Sequence, residues 1–120
     1  MANPVVHFEI GCRDSASTQE FLSQLFGWNI TPMGPAAMID TGQIPGVSGI
    51  TGHITSLGHE PHNYVTVYVQ VEDVEAHMAK AVELGGKRLV QPVKIPTGTF
   101  AWIADREGTV IGLWKPAASQ

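Results

Sequence analysis

The sequence contains an internal repeat with a shift of 59 positions, which aligns Val6 with Val65. The segment VHFEIGCRD, which starts at Val6, aligns with VTVYVQVED, which starts at Val65, and the register still holds where Leu25 meets Leu84. A fixed internal period indicates two copies of one structural unit, and the cleft between two such copies is a natural ligand site. We therefore predict two similar modules. The residue at the matching position of the other module is called the repeat counterpart, and each functional residue points to its counterpart as a second candidate.

Chain length and the repeat together define the predicted domain organisation. A chain of 120 residues can bury one hydrophobic core but is too short for two independent domains. With 43% hydrophobic and 15% charged residues, the composition is that of a folded globular protein. We predict a single domain over residues 1–120, with module 1 at about 4–57, a polar linker at 58–63 and module 2 at about 64–116.

Composition also excludes several classes of function. The net charge is −4 and the seven Lys and Arg residues are scattered, so no basic surface for nucleic acid is expected. No apolar run approaches the roughly 20 residues that cross a membrane, and no basic region of a signal peptide precedes the first apolar residues. The single cysteine excludes an internal disulfide and a cysteine-based zinc site, and it is typical of a reducing compartment. We expect a cytoplasmic protein.

The first module is predicted to begin with a strand, because polarity alternates over residues 5–12. Asp14 is the predicted N-cap of the following helix, with a capping box that starts at Ser17 as the alternative. The helix ends at Gly27, and the Pro- and Gly-rich segment after it allows only short strands, the last at about residues 49–56. The strand presents Val6, Phe8 and Ile10 on one face, and the helix carries Phe21, Leu22, Leu25 and Phe26.

The second module follows the same order of elements. Residues 65–71 are β-branched at every second position and predict a strand, and Asp73 is the predicted cap of a helix that ends at the Gly85-Gly86 pair. Three strands follow, at residues 87–90, 99–104 and 109–114, the last two joined by the hairpin loop DREG. Each module thus has the predicted order βαβββ, and the fold class is α+β.

Two long segments carry a family resemblance, VHFEIGCRDSASTQEFLSQLFGW in module 1 and VEDVEAHMAKAVELGGKRLVQPVKIPTGTFAWIADREGTVIGLWKP in module 2. They resemble the vicinal-oxygen-chelate superfamily, which includes glyoxalase I, extradiol dioxygenases, fosfomycin-resistance enzymes and bleomycin-binding proteins. The resemblance implies two βαβββ modules whose sheets curl into an incomplete barrel around a central cleft. It also implies a homodimer, which would cover exposed sheet edges. Fold alone does not fix the chemistry.

The resemblance further implies four metal-ligand positions, which fall on His7, His53, Thr66 and Gly112 of this chain. Two of these residues are imidazoles, whereas the other two cannot hold a divalent ion. Glu9, one pleat along the same strand as His7, is a possible third ligand. The chain resembles a member of the family that lacks the usual metal ligands, and we expect neither a metal nor another cofactor.

His7 and Glu9 are the candidate catalytic residues. An imidazole titrates near neutrality, so His7 is either a general base or substrate partner, or a histidine that is only hydrogen-bonded inside the barrel. Glu9 either binds a polar or cationic ligand or pairs with an arginine such as Arg106. The candidate ligand-binding residues are His53, Thr66, Tyr68, Trp102, Gly112 and Trp114, where Gly112 leaves a space for a ligand or a neighbouring side chain.

Three histidines around the linker offer an alternative metal cluster. His53, His59 and His62 have the spacing H-x5-H-x2-H, although loop histidines are usually solvated and no carboxylate or cysteine accompanies them at a recognisable spacing.

Three function classes remain. The first is a metal-independent lyase or isomerase that uses His7, with Glu9 or Tyr68 as the second group. The second is a non-catalytic protein that sequesters a drug or metabolite. The third is a metal-dependent glyoxalase-like lyase or dioxygenase, against which the missing ligands argue. All three bind a small organic molecule, and the sequence does not separate the first two.

Overall fold

The computed structural model describes residues 2–58 and 60–118. Its elements form two βαβββ modules, with one additional short hairpin in the first, as the repeat predicts. In chain order they are β1 (Val5–Gly11), α1 (Ser15–Phe26), β2 (Asn29–Met33), β3 (Ala36–Asp40), β4 (Gln43–Ile44), β5 (Val47–Ser48), β6 (Thr51–Thr55), β7 (Tyr64–Gln70), α2 (Val74–Glu83), β8 (Lys87–Ile95), β9 (Gly98–Ala104) and β10 (Val110–Pro116).

The chain divides into two compact units, the first unit being His7–Thr66 and the second unit residues 2–6 with 67–118. In the first unit the strand order is β2-β3-β6-β1, with β1 and β6 parallel and the other pairs antiparallel. In the second unit it is β7-β10-β9-β8, with β7 and β10 parallel. The start of β7, from Tyr64 to Thr66, belongs to the first unit. The two units therefore share one topology.

The sequence repeat is preserved in the strand register. Glu9 is paired with His53 between β1 and β6, and Tyr68 is paired with Gly112 between β7 and β10. Tyr68 is the repeat counterpart of Glu9, and Gly112 is that of His53. The predicted correspondence of His53 and Gly112 therefore holds, even though a Pro- and Gly-rich segment precedes His53.

Both helices start at the predicted aspartates. The carboxylate of Asp14 accepts a hydrogen bond from the amide of Ser17 at 3.1 Å, and that of Asp73 accepts one from the amide of Ala76 at 3.0 Å. Helix α1 ends at Gly27, whose φ of 70° lies in the left-handed region that glycine adopts without strain. Within the described part of the chain, neither helix has the length and hydropathy to cross a lipid bilayer.

Each unit has its own apolar core between its helix and its sheet. Cys12 is buried in the first core, as predicted, and its thiol lies 3.7 Å from the carbonyl oxygen of Thr55. The buried residues of the first core are Cys12, Ala37, Ile39 and Ile54, with Phe8, Ile10, Leu22, Trp28 and Ile30 packed against them. Those of the second core are Val71, Val74, Met78, Ala101 and Leu113, with Val69 and Ile103 packed against them.

Helix α1 contributes less to the core than its apolar content indicates. Leu22 packs against the core, but Phe21, Leu25 and Phe26 are 64%, 59% and 56% exposed. The apolar residues of this helix spread over more of its circumference than the part that faces the sheet, so of the four only Leu22 packs against the buried core residues, while Phe26 contacts the Trp28 ring.

Strand β8 is longer than predicted. It continues to Ile95 instead of ending at Val90, and it includes Pro92. Its register against β9 shifts twice, between Arg88 and Val90 and between Val90 and Val93. Such irregularities at the end of a sheet tolerate a proline that cannot donate to the ladder, and they hide the strand from a simple alternation pattern.

Candidate functional site

One face of the first unit's sheet is polar, and its side chains come from two parallel strands. His7 lies opposite Thr51, and Glu9 lies opposite His53. Alternate residues of a strand point to the same face, so these four side chains share one surface. Phe8, between the two β1 residues, packs into the apolar core on the other face. The predicted assignment of the strand faces is therefore confirmed.

The four polar side chains form a continuous chain of hydrogen bonds. Nδ1 of His7 lies 2.9 Å from Oγ1 of Thr51, and Nε2 of His7 lies 2.8 Å from Nδ1 of His53. Nε2 of His53 lies 3.2 Å from Oε1 of Glu9. The other carboxylate oxygen, Oε2, accepts a short hydrogen bond from the hydroxyl of Tyr64. These contacts connect five residues in series.

The direction of the hydrogen bonds follows from the carboxylate at one end. Where Glu9 accepts and each ring carries one hydrogen, Nε2 of His53 donates to Glu9 and Nε2 of His7 donates to Nδ1 of His53. Nδ1 of His7 is then the acceptor for the hydroxyl of Thr51. In this arrangement every hydrogen along the chain points toward Glu9.

Burial changes along the same series. The side chain of Glu9 is 7% exposed and that of His53 is 24% exposed. His7 is half-buried and Thr51 is exposed. The chain of hydrogen bonds therefore runs from a hydroxyl at the surface to a carboxylate in the interior.

The electrostatic environment keeps His7 neutral. Burial, and secondly the neighbouring His53, lower the pKa of His7 from 6.5 to about 4, although Glu9 acts in the opposite direction. The rings of His7 and His53 lie nearly parallel, with 5.0 Å between their centroids and 21° between their planes. At neutral pH His7 therefore carries no charge, and a neutral imidazole has one ring nitrogen that donates and one that accepts.

Glu9 is a buried carboxylate with two described partners. The residue is 5% exposed, and its oxygens face Tyr64 and His53. The sequence suggested Arg106 as a partner of Glu9, whereas the structure describes Tyr64 and His53 as its partners. A buried carboxylate is tolerated only with hydrogen-bond donors of this kind.

The second unit contains the aromatic candidates. Tyr68 and Trp102 are each 5% exposed, and Nε1 of Trp102 donates a hydrogen bond of 2.8 Å to the hydroxyl of Tyr68. The Tyr68 ring lies over Gly112, where a Cβ atom would overlap it. The sequence left two occupants open for the space at Gly112, a ligand or a neighbouring side chain. The Tyr68 side chain occupies that space. Phe100 packs edge-on to Tyr68, at a centroid distance of 6.4 Å.

The remaining two candidates differ in exposure. Trp114 is half-buried, and its ring lies against Gly98, where a Cβ atom would come within 2.7 Å of it. Thr66 is buried, at 4% exposure. By unit, the predicted residues His7, Glu9, His53 and Thr66 belong to the first unit, whereas Tyr68, Trp102, Gly112 and Trp114 belong to the second.

These residues do not fit the four-ligand metal site that the resemblance implies. Gly112 has no donor atom and is covered by Tyr68. Glu9 faces Nε2 of His53 whereas His7 faces Nδ1, so the carboxylate and His7 lie at opposite nitrogens of one ring. Among residues 2–58 and 60–118, no three His, Cys, Asp or Glu side chains form a group that could hold a metal ion.

His62 does not form a cluster with His53. Both ring nitrogens of His53 face His7 and Glu9. His62 lies 3.1 Å from the carboxylate of Glu60, which precedes it in the same loop. His59, the third member of the predicted spacing, lies outside the described residues.

Two members of the hydrogen-bonded chain were missed by the sequence reasoning. Thr51 has the same strand parity as His53, so the alternation over residues 49–56 could have found it. Tyr64 had no such signal, because its repeat counterpart is Val5 and no motif includes it. Only the pairing of distant strands brings its hydroxyl to Glu9.

Comparison with known families gives a match over most of the chain. Residues 6–113 match the family model of the glyoxalase-like domain. Over 59 residues, 48% of this chain, the sequence is 39% identical to the protein named "Putative glyoxylase CFP32" of Mycobacterium bovis and to that of Mycobacterium tuberculosis. The matched region covers only 23% of those relatives.

Solved structures share the fold. A variant of Streptomyces coelicolor methylmalonyl-CoA epimerase, in complex with 2-nitronate-propionyl-CoA, is similar with a TM-score of 0.71 and 18% identity, over 100% of this chain and 99% of that one. A glyoxalase/bleomycin resistance protein/dioxygenase superfamily member from Vibrio splendidus 12B01 has a TM-score of 0.61 and 15% identity, over 95% and 98% of the two chains. At these identities the similarity shows the fold alone.

Proposed function

This chain belongs to the glyoxalase-like domain family, and from that membership we propose that it binds a small organic molecule beside His7 and moves a proton to or from it without a metal ion. The observation that carries the proposal is the series of hydrogen bonds from Thr51 through His7 and His53 to Glu9. A base that is oriented by a second group, which is itself oriented by a third, is the arrangement used in general acid–base catalysis.

The series gives the proton a defined path. A substrate hydrogen that replaces the Thr51 hydroxyl at Nδ1 of His7 is taken up there. The hydrogen on Nε2 of His7 then moves to Nδ1 of His53, and the hydrogen on Nε2 of His53 moves to Oε1 of Glu9. The substrate is left with the electron pair of the broken bond, and the reverse sequence returns a proton to it. No net charge is added to the protein beyond neutralisation of Glu9.

This path resolves an apparent conflict with the low pKa of His7. An isolated imidazole with a pKa of about 4 is a weak base at neutral pH. In the series the proton does not remain on His7, because the carboxylate at the far end accepts one in the same process. The lowered pKa has the useful consequence that His7 is unprotonated, and ready to accept, throughout the neutral range.

The comparisons support a small organic ligand. The similar methylmalonyl-CoA epimerase was solved in complex with 2-nitronate-propionyl-CoA. The mycobacterial relatives carry the name of a glyoxylase, although they are matched over less than a quarter of their length. Carbonyl compounds with an acidic C–H are therefore the first class to test.

The test is solvent hydrogen exchange. A panel of 2-oxo aldehydes, 2-oxo acids, malonyl thioesters and 3-oxo thioesters is incubated with the protein in D₂O, and loss of the C–H signal is followed by NMR. We expect exchange of at least one compound by the wild-type protein, a loss of about 100-fold or more in His7→Gln, and a smaller loss in Glu9→Gln. Ser48→Ala, in the exposed β4–β5 hairpin, is the control and should exchange as fast as wild type.

The sequestering protein is the alternative outcome of the same panel. In that case a compound raises the melting temperature and binds with a measurable Kd, yet none exchanges faster than in buffer. A His7→Gln variant with undiminished exchange would also contradict the proposal.

We further propose a cytoplasmic homodimer. The dimer is supported by the exposed apolar surface of α1, where Phe21, Leu25 and Phe26 are each more than half exposed. The cytoplasmic location is supported by Cys12, which is buried and forms no disulfide. Sedimentation velocity should give twice the mass of one chain, with the Phe21→Ser, Leu25→Ser double variant shifted toward the monomer. Cell fractionation of the native protein tests the compartment.

A further inference from the structure

Tyr64 contacts the buried end of the hydrogen-bonded series and is outside the proton path described above. Its hydroxyl donates to Oε2 of Glu9, whereas Oε1 of the same carboxylate faces Nε2 of His53. Each oxygen of the carboxylate therefore has its own partner, and the two partners come from different strands, β7 and β6.

The phenol ring occupies a space that two glycines leave open. A Cβ atom at Gly11 would overlap the Tyr64 ring, and a Cβ atom at Gly58 would overlap its hydroxyl oxygen. Neither glycine is among the residues with positive φ, so backbone conformation does not require glycine at these positions. The absence of side chains at Gly11 and Gly58 is accounted for by the position of Tyr64.

The described residues of the second unit have no equivalent arrangement. The repeat counterparts of Tyr64, Gly11 and Gly58 are Val5, Gln70 and Ala117. In that module the pair corresponding to Glu9 and His53 is Tyr68 and Gly112, which has no carboxylate to orient. The tyrosine and its two glycines thus belong to the first unit, which carries the polar series.

We propose that Tyr64 is a positioning residue, which holds the Glu9 carboxylate so that Oε1 faces His53 and thereby fixes the hydrogen of both imidazoles on Nε2. The terminal torsion of a glutamate is broad, so each hydrogen bond to a carboxylate oxygen narrows the range of orientations that the group adopts. The orientation of Glu9 sets the tautomer of His53, and His53 in turn sets that of His7. The relevance to catalysis rests on the proposed function, because only a His7 with an accepting Nδ1 can take a proton at the exposed end.

The test reads the tautomers directly. In protein labelled with ¹⁵N-histidine, long-range ¹H–¹⁵N spectra at neutral pH distinguish a protonated from an unprotonated ring nitrogen. We expect the Nε2–H form for His7 and His53 in the wild-type protein. In Tyr64→Phe, which keeps the ring between the glycines, we expect a mixture of tautomers at His53, and an exchange rate about tenfold lower at unchanged KM for the compound found above.

A second variant disturbs the same contact between Tyr64 and Glu9 by a substitution at a neighbouring glycine. Gly58→Ala changes none of the side chains of the series, but its added Cβ would displace the Tyr64 hydroxyl, so it should change the His53 spectrum in the same direction. Tyr68→Phe removes the other tyrosine hydroxyl of the chain and serves as the control for the spectra, which should stay as in wild type. Circular dichroism and melting temperature establish that each variant is folded.

The outcomes separate this inference from the proposed function. Tautomers that respond to Tyr64→Phe and Gly58→Ala support the positioning role, even if no compound of the panel exchanges, in which case the proposed function alone fails. Pure Nε2–H spectra in both folded variants would overturn the positioning role, whatever the exchange rates are. A change of the same size in Tyr68→Phe would overturn it as well.

Discussion

Glu9 and His53 face each other across the parallel strands β1 and β6, with 3.2 Å between Oε1 and Nε2. Their repeat counterparts, Tyr68 and Gly112, face each other at the same register position of β7 and β10. In the first pair the side chains form a hydrogen bond, and in the second an aromatic ring covers a glycine. One backbone arrangement thus supports a polar series in one module and dense packing in the other.

Stability should depend on pH through His7. Because its folded-state pKa of about 4 lies below the unfolded value of 6.5, the unfolded chain binds a proton first as the pH falls. The contribution of His7 to stability is therefore fully present above about pH 6.5 and is lost between about pH 6.5 and 4. For a half-buried group we expect about 1–2 kcal/mol, after allowance for solvent screening.

Urea unfolding at several pH values across this window, and at one value above it, measures the effect. His7→Gln should show a shallower pH dependence over that range, and Ser48→Ala should keep the wild-type dependence. Equal slopes for wild type and His7→Gln would show that His7 does not titrate as described.

Gly112→Ala should destabilise the second unit. The added Cβ would overlap the Tyr68 ring, and overpacking of this kind costs about 1–3 kcal/mol. Replacing a strand glycine by alanine gains only about 0.5–1 kcal/mol, so the loss outweighs the gain. In a Tyr68→Ala background the ring is absent and the cost of Gly112→Ala should disappear, as measured by a double-mutant cycle in urea. An additive cycle would contradict the contact.

The purified protein should hold no stoichiometric divalent metal. Glu9 and His7 lie at opposite nitrogens of His53, and Gly112 offers no ligand atom. Elemental analysis should find less than one equivalent, and Ni²⁺, Zn²⁺ or Fe²⁺ should not raise the melting temperature of the wild-type protein. One equivalent of metal that disappears in His7→Ala would refute this expectation. Gly112→Glu should not create a site, because Tyr68 occupies the space.

A ligand that reaches the aromatic residues of the second unit should change tryptophan fluorescence. Trp102 and Trp114 lie in that unit, whereas Trp28 packs against Phe8 in the first core, so the signal should come mainly from Trp102 and Trp114. For the compound that most raises the melting temperature, Trp114→Ala should weaken binding more than Tyr68→Phe, for which about 1 kcal/mol is expected. Unchanged Kd values in both variants would place the ligand elsewhere.

The sequence by itself determined the order of elements, because the signals for it are local. The alternation in β1, the caps Asp14 and Asp73 and the stop at Gly27 each act within one turn or a few residues of strand. The internal repeat added the equivalence of the modules, and that equivalence held as far as the pairing of Tyr68 with Gly112. The two faces of β1, one polar and one apolar, followed from the same alternation.

The tertiary structure decided which polar groups meet. Tyr64 and Glu9 are far apart in the sequence, and their contact depends on strand pairing and on the space left by Gly11 and Gly58, none of which leaves a periodic trace. Phe21 is likewise exposed although it belongs to an apolar pattern, because only part of the circumference of α1 faces its sheet. Local preference fixes where elements begin and end, whereas side-chain partners and burial depend on distances that exist only after the elements have packed.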